Sequence, residues 1–285
     1  MRPELRVDSF KSVLVFILSI VLFFVVASVL SAIILHGGIT PARLRISTVI
    51  QDIVLFVFPA IVTALVVTRY PARLLAVDRA PSLPLSLIAL AALFASIPFF
   101  NMVVAWNEAV QLPESIAAPM KAAEENAAEL SKLLMSGTTV GSLIVSVLIV
   151  GVLAGFSEEL FFRGTLQRLL TSGKGAPHLA IWVTAFIFSA IHFQFYGFVP
   201  RLLLGAFFGY CLYWTGSVWV PVILHVVNNS SVVVNTWLID RGTVSTDLGD
   251  EFSTASDWPY ALVSLALTVG LIYLLRRESQ KKSIK

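Results

Sequence analysis

A few polar side chains stand where an apolar chain should have none. Glu158, Glu159 and Arg163 lie in one apolar run, His192 in a second, and His225 with Asn229 in a third. An ionisable group in hydrocarbon costs several kcal/mol unless it is paired or hydrated, so each is a candidate for function. On a helix, residues four apart share a face. Glu159 and Arg163 are therefore natural ion-pair partners. Glu158 is turned about 100° away and has no such partner in its own helix. One glutamate is neutralised locally and its neighbour stays available to take a proton from water and return it to a leaving amine. His225 and Asn229 are also four apart, so one face offers an imidazole and a carboxamide, both able to donate to a developing oxyanion. Phe188, one turn before His192, reads by itself as packing. Asn228 points elsewhere, toward a helix–helix hydrogen bond. The same three charges of the first run could instead form one buried salt-bridge cluster that holds helices together.

The elements that carry these residues follow from composition. The chain has 285 residues, 57% of them hydrophobic and only 13% charged, against about 45–50% and about 25% for a soluble domain. Water is not the solvent of such a chain. About eight apolar stretches are expected to span a bilayer, near 12–35, 48–69, 84–106, 140–170, 179–195, 199–214, 218–238 and 258–275. The runs are continuous and about twice the length of a barrel strand, and without water to satisfy the backbone they should be helical. The fold class is thus all-α: a polytopic membrane protein, a bundle of about eight transmembrane helices in a single integral membrane domain over 1–285, with its motif-bearing core at about 140–238. The first stretch exceeds the apolar region of a signal peptide and reads as an uncleaved span. Residues 107–137 are richer in charge, and Met120, Ala123, Ala127, Leu130 and Leu134 fall at helical spacing, which predicts an amphipathic interfacial helix. A solvated surface role and a substrate-gating role fit it equally.

Basic residues set the orientation. With the N-terminus in the cytoplasm, Arg2, Arg6, Lys11, Arg69, Arg73, Arg79, Arg168, Lys174, Arg276, Arg277, Lys281, Lys282 and Lys285 lie inside, and Arg43, Arg45, Lys121, Lys132 and Arg241 outside. That excess places both termini in the cytoplasm and suits a multi-pass protein of a bacterial plasma (inner) membrane. A net charge of +3 with basic residues at segment ends points to orientation in membrane lipid rather than to nucleic-acid binding. Oligomeric state has no signature. The single cysteine, Cys211, excludes an internal disulfide and a cysteine metal centre. At ~1.5 Å per residue, His192 lies roughly 20 Å from the cytoplasmic start of its helix, Glu158 a little less from the far end of its own, and His225 nearer ~10 Å. One cavity opening toward the cytoplasm is the expectation.

Three motifs in order resemble a known family. Glu158-Glu159-Leu160-Phe161-Phe162-Arg163 is similar to the EExxxR motif of the CPBP family (CAAX proteases and bacteriocin-processing enzymes, also called Abi). Phe188-Ser189-Ala190-Ile191-His192 is similar to its FxxxH motif, and His225-Val226-Val227-Asn228-Asn229 to its HxxxN/D motif. The resemblance implies an eight-helix intramembrane endopeptidase of the type II CAAX prenyl protease kind. Glu158 would activate the water with help from His192; His225 and Asn229 would stabilise the oxyanion; Glu159, Arg163 and Phe188 would support them. No metal or other cofactor is expected. The alternative, zinc held by Glu158, His192 and His225, is allowed by residue type. Two rivals stay open: a proton-coupled transporter, since membrane Glu and His also form proton relays, and a non-catalytic scaffold with the polar cluster as glue.

Overall fold

The computed structural model describes residues 9–171, 176–245, 249 and 251–283. Arg2, Arg6, Lys174 and Lys285 of the charge argument lie outside them, as does the side chain of Lys282. The regular structure among the described residues is all helical, without strands. We label the helices α1 (Ser9–Leu35), α2 (Pro41–Val67), α3 (Leu83–Ala95), α4 (Ile97–Glu108), α5 (Glu114–Met135), α6 (Val140–Thr171), α7 (Pro177–Ala190), α8 (Phe198–Thr215), α9 (Trp219–Asp240) and α10 (Trp258–Ser283). Large apolar side chains cover the outside, among them Phe24, Val66, Phe186, Leu267 and Tyr273. This is the surface of a multi-pass membrane protein.

Every expected span has a helical counterpart, but not every one is long enough to cross. By length and composition five helices among the described residues qualify, or six when α3 and α4, bent by 46° at Ser96, count as one broken span. The expected fifth span is the shorter apolar helix Pro177–Ala190. It stops because the chain turns at 191–197 and comes straight back as α8. The left-handed Phe193 (φ 53) lies in that turn. The helix expected over 107–137 forms as α5 and buries none of its residues fully. Arg45 ties down its end, donating from Nε to Leu134 O at 3.0 Å and from Nη2 to Ser136 O at 2.7 Å.

Helix α6 is the axis of the bundle, and two features shape it. Its turns widen to i→i+5 spacing over Val147–Leu153 and again over Leu160–Gln167, on either side of Glu158 and Glu159. Wide turns of this kind concentrate at functional sites. Thr165 Oγ1 helps satisfy the second, donating to Leu160 O at 3.0 Å. Glycines then let neighbouring backbones close in, the small-residue device of membrane helices. A Cβ on Gly155 would stand 3.1 Å from Val226 N, and one on Gly151 would run into the Ser230 hydroxyl. On the other side α8 presents Gly205 and Gly209 to α6. Arg163 Nη2 donates to Gly205 O and Gln167 Nε2 to Gly209 O, each at 3.0 Å. Phe161, Phe162 and Leu169 fill the remaining side against Phe16, Ala60, Ala64 and Leu74.

Candidate active site

The polar residues named from sequence come from α6, α9 and the end of α7, and they meet. Glu159 and Arg163 are fully buried, at 0% exposure, and pair at 2.7 Å between Oε1 and Nη1. The Arg163 guanidinium also donates to Gly205 O and lies over two ring faces, Phe188 at 4.6 Å and Phe208 at 5.6 Å. A cation so enclosed needs its carboxylate, because removing one partner leaves a buried charge uncompensated. Phe188 packs by its edge on His192 and His225 as well, so it braces three polar groups at once.

His225 stands between the two glutamates. Its Nδ1 lies 2.8 Å from Glu159 Oε1, and its Nε2 lies 3.8 Å from Glu158 Oε2. A carboxylate can only accept, so Nδ1 donates and Nε2 is left facing Glu158. An outer carboxylate that orients an imidazole in this way fixes its tautomer and its angle. His192 is oriented by a different acceptor: its Nδ1 lies 2.7 Å from Phe188 O. A carbonyl only accepts, so Nδ1 carries the proton and Nε2 offers a lone pair.

Glu158 differs from its neighbour. Its side chain keeps 16% exposure, and its Oε2 makes no hydrogen bond to the protein. It lines a cavity of about 500 Å³ together with Phe188, His192, Arg201, His225, Asn228 and Asn229. All four residues expected to do chemistry therefore reach one cavity. The oxyanion pair is arranged differently from the expectation. Asn229 spends one N–H on Val150 O at 3.1 Å, and its Oδ1 accepts from Asn228 Nδ2 at 3.3 Å. One N–H of Asn229 remains for a substrate. The direction of the cavity also differs. Beyond the four residues its wall is built from Leu93 to Val104, Gly197, Pro200, Ser231 and Val232. It thus runs toward the 191–197 turn, away from the basic end on which the charge argument placed the mouth.

Two further residues were missed in sequence. Arg201 sits in the cavity wall; its Nη2 donates to Gln194 Oε1 at 3.0 Å, and Gln194 Nε2 donates to Glu124 Oε1 at 3.1 Å. The interfacial helix α5 is thereby wired to the wall. Asp52 is buried in α2 with Oδ2 unbonded, on the segment that packs against the Glu158 turn. The signal for both was available: a charge inside an apolar run.

The zinc alternative can be tested against these positions. Two ligands at ~2.0–2.1 Å from a tetrahedral ion stand ~3.3 Å apart, and His225 Nε2 to Glu158 Oε2 is wider at 3.8 Å. No three His, Cys, Asp or Glu among the described residues are grouped to hold a metal ion. The trio as placed does not fit zinc.

One stretch of the sequence has a counterpart among known families. Residues 140–231 match the family of Rce1-like type II CAAX prenyl endopeptidases. The stretch contains all three motifs, so the likeness drawn from them and this match fall on the same residues. It leaves out α1 to α5. The chain is also similar to the uncharacterized protein YpbD of Bacillus subtilis (strain 168), 28% identical over 88 residues. That alignment covers 30% of this chain and 42% of the relative, less than half its length. No solved structure matches.

Proposed function

We propose that this protein is an intramembrane endopeptidase that hydrolyses a membrane-associated peptide with a water activated by Glu158. One observation carries the reading: of two adjacent glutamates, Glu159 is fully buried with its Oε1 held by Arg163 and His225, whereas Glu158 keeps 16% side-chain exposure and lines the cavity. The Rce1-like match over 140–231 supports it at the level of the family.

In this mechanism a water lies between Glu158 and His192 Nε2. Glu158 takes its proton as the water oxygen bonds to the scissile carbonyl carbon. Negative charge then grows on the carbonyl oxygen, and the free N–H of Asn229 meets it. His225 is held beside it, its Nδ1 donating to Glu159 Oε1. Glu158 returns the proton to the amide nitrogen, the C–N bond breaks, and the amine leaves. No step passes through a metal. The scaffold alternative accounts for Glu159 and Arg163 but gives no reason for a carboxylate held open toward a cavity. The basic end of the bundle is assigned to the cytoplasm of a plasma membrane, with the cavity wall on the other half of the bilayer.

The test is a cleavage screen of membrane-anchored peptides by the purified protein, with Glu158→Ala as control. Products with wild type and none with the variant support the reading. Equal cleavage by both removes it, and proton-driven flux in liposomes that Glu158→Gln abolishes would favour the transporter instead.

A further inference from the structure

At the basic end of the bundle, far from the active-site cavity, a second cleft of about 560 Å³ opens between α7, α8 and α10. His178, Tyr210, Tyr213, Trp214, Arg276 and Ser279 line it. Its side chains hold one another in place. His178 Nδ1 lies 3.1 Å from the Tyr210 hydroxyl, the Tyr213 ring packs edge-on against His178, and Tyr210 stacks on Trp214 at 5.1 Å. Arg276 forms no ion pair among the described residues, and the nearby Glu278 is taken by Lys281 at 2.6 Å. The cleft thus presents a guanidinium, an imidazole and phenol groups with no carboxylate to balance them.

Its depth identifies the environment. Arg276 comes 18 residues after Trp258, the start of α10, a rise of ~27 Å at ~1.5 Å per residue, against a hydrocarbon core of ~30 Å. The cleft is therefore at the hydrocarbon–water boundary, the level at which Trp and Tyr gather. One turn deeper, Leu179, Trp182 and Tyr273 are exposed on the lipid-facing surface. Cationic donors above and apolar surface below match a headgroup phosphate with its acyl chains, and basic pockets between helices bind such headgroups.

We propose that this cleft binds the phosphate of an anionic phospholipid, with Arg276 and His178 as donors and the acyl chains running down past Leu179 and Trp182. The inference does not depend on the proteolytic reading. It is tested on the full-length protein in neutral detergent, by thermal unfolding titrated with phosphatidylglycerol, phosphatidylcholine or inorganic phosphate. The expected result is a rise of several degrees with phosphatidylglycerol and none with the other two. Both R276Q and H178N should weaken the phosphatidylglycerol response at least tenfold in the concentration needed, with lipid-free unfolding little changed because both residues are exposed. R241Q, at the opposite end, should respond as wild type. An equal rise with phosphatidylcholine, an equal rise with inorganic phosphate, a full response in both cleft variants, or an equal loss in R241Q would each overturn the proposal.

Discussion

Neutralising one glutamate of the pair should unfold the protein, and neutralising the other should only silence it. Glu159 is fully buried and holds two donors, Arg163 Nη1 at 2.7 Å and His225 Nδ1 at 2.8 Å. Glu159→Gln leaves the enclosed Arg163 charge without a counter-charge, which costs about 3–5 kcal/mol. At roughly 2–4 °C per kcal/mol for a domain of this size, unfolding should fall on the order of 10 °C. Glu158 has no hydrogen bond to the protein at Oε2 and is partly exposed, so Glu158→Gln should stay within about 1 kcal/mol of wild type. Its rate should drop at least ~10³-fold, because the carboxylate proposed to take the proton of the water has gone, and general-base and orientation effects together are worth that much. The assay pairs thermal unfolding in detergent with cleavage of one membrane-anchored peptide. A partial rescue completes it: Arg163→Met in the Glu159→Gln background should recover stability, since the uncompensated charge is removed with its partner. If Glu158→Gln is destabilised as strongly as Glu159→Gln, both glutamates are structural and the division of labour fails.

Other expectations can be checked with the same two assays. Gly155→Ala should lower stability by about 1–3 kcal/mol and reduce cleavage, because the added Cβ meets Val226 backbone at 3.1 Å; unchanged unfolding would mean that the α6–α9 seam is looser than drawn. Asn229→Ala should lower kcat by about 10²–10³ with KM nearly unchanged, and a pure KM effect would assign it to ground-state binding instead. Cleavage should persist after exhaustive dialysis against a chelator and should not rise on adding zinc; loss and zinc rescue would show that the trio of Glu158, His192 and His225 closes further than its 3.8 Å contact suggests.

Periodicity made much of this arrangement legible. The i,i+4 spacing of Glu159 and Arg163 announced their ion pair, and the lack of a partner for Glu158 marked it as the free carboxylate. What periodicity could not show was the hand of His225. Its spacing to Asn229 suggested a shared oxyanion face, yet Nδ1 turns to Glu159, a contact between residues 66 apart in the chain. Single-helix spacing carries no information about such pairings. Among the described residues fewer helices than the eight expected spans qualify by length and composition, for a related reason. Hydropathy measures where apolar residues are, and the 191–197 turn ends α7 after fourteen residues although Ile191, Phe193 and Phe195 prolong the apolar run.

The glycines supply the link that spacing alone misses. Gly151 and Gly155 on α6, and Gly205 and Gly209 on α8, each form a four-residue step; the first meets the α9 backbone and the second the side chains of α6 and α7. The first brings α9 close enough for His225 to reach both glutamates. The second exposes two carbonyls that Arg163 and Gln167 use as acceptors. With the wide turns on both sides of Glu158, these contacts clamp α6 from two sides at the level of the active site. The cost of burying Arg163 and Glu159 is thus met by a seam that also places Glu158 and His225 beside the cavity. A side chain at any of these glycine positions would act on catalysis through helix spacing, without touching a substrate.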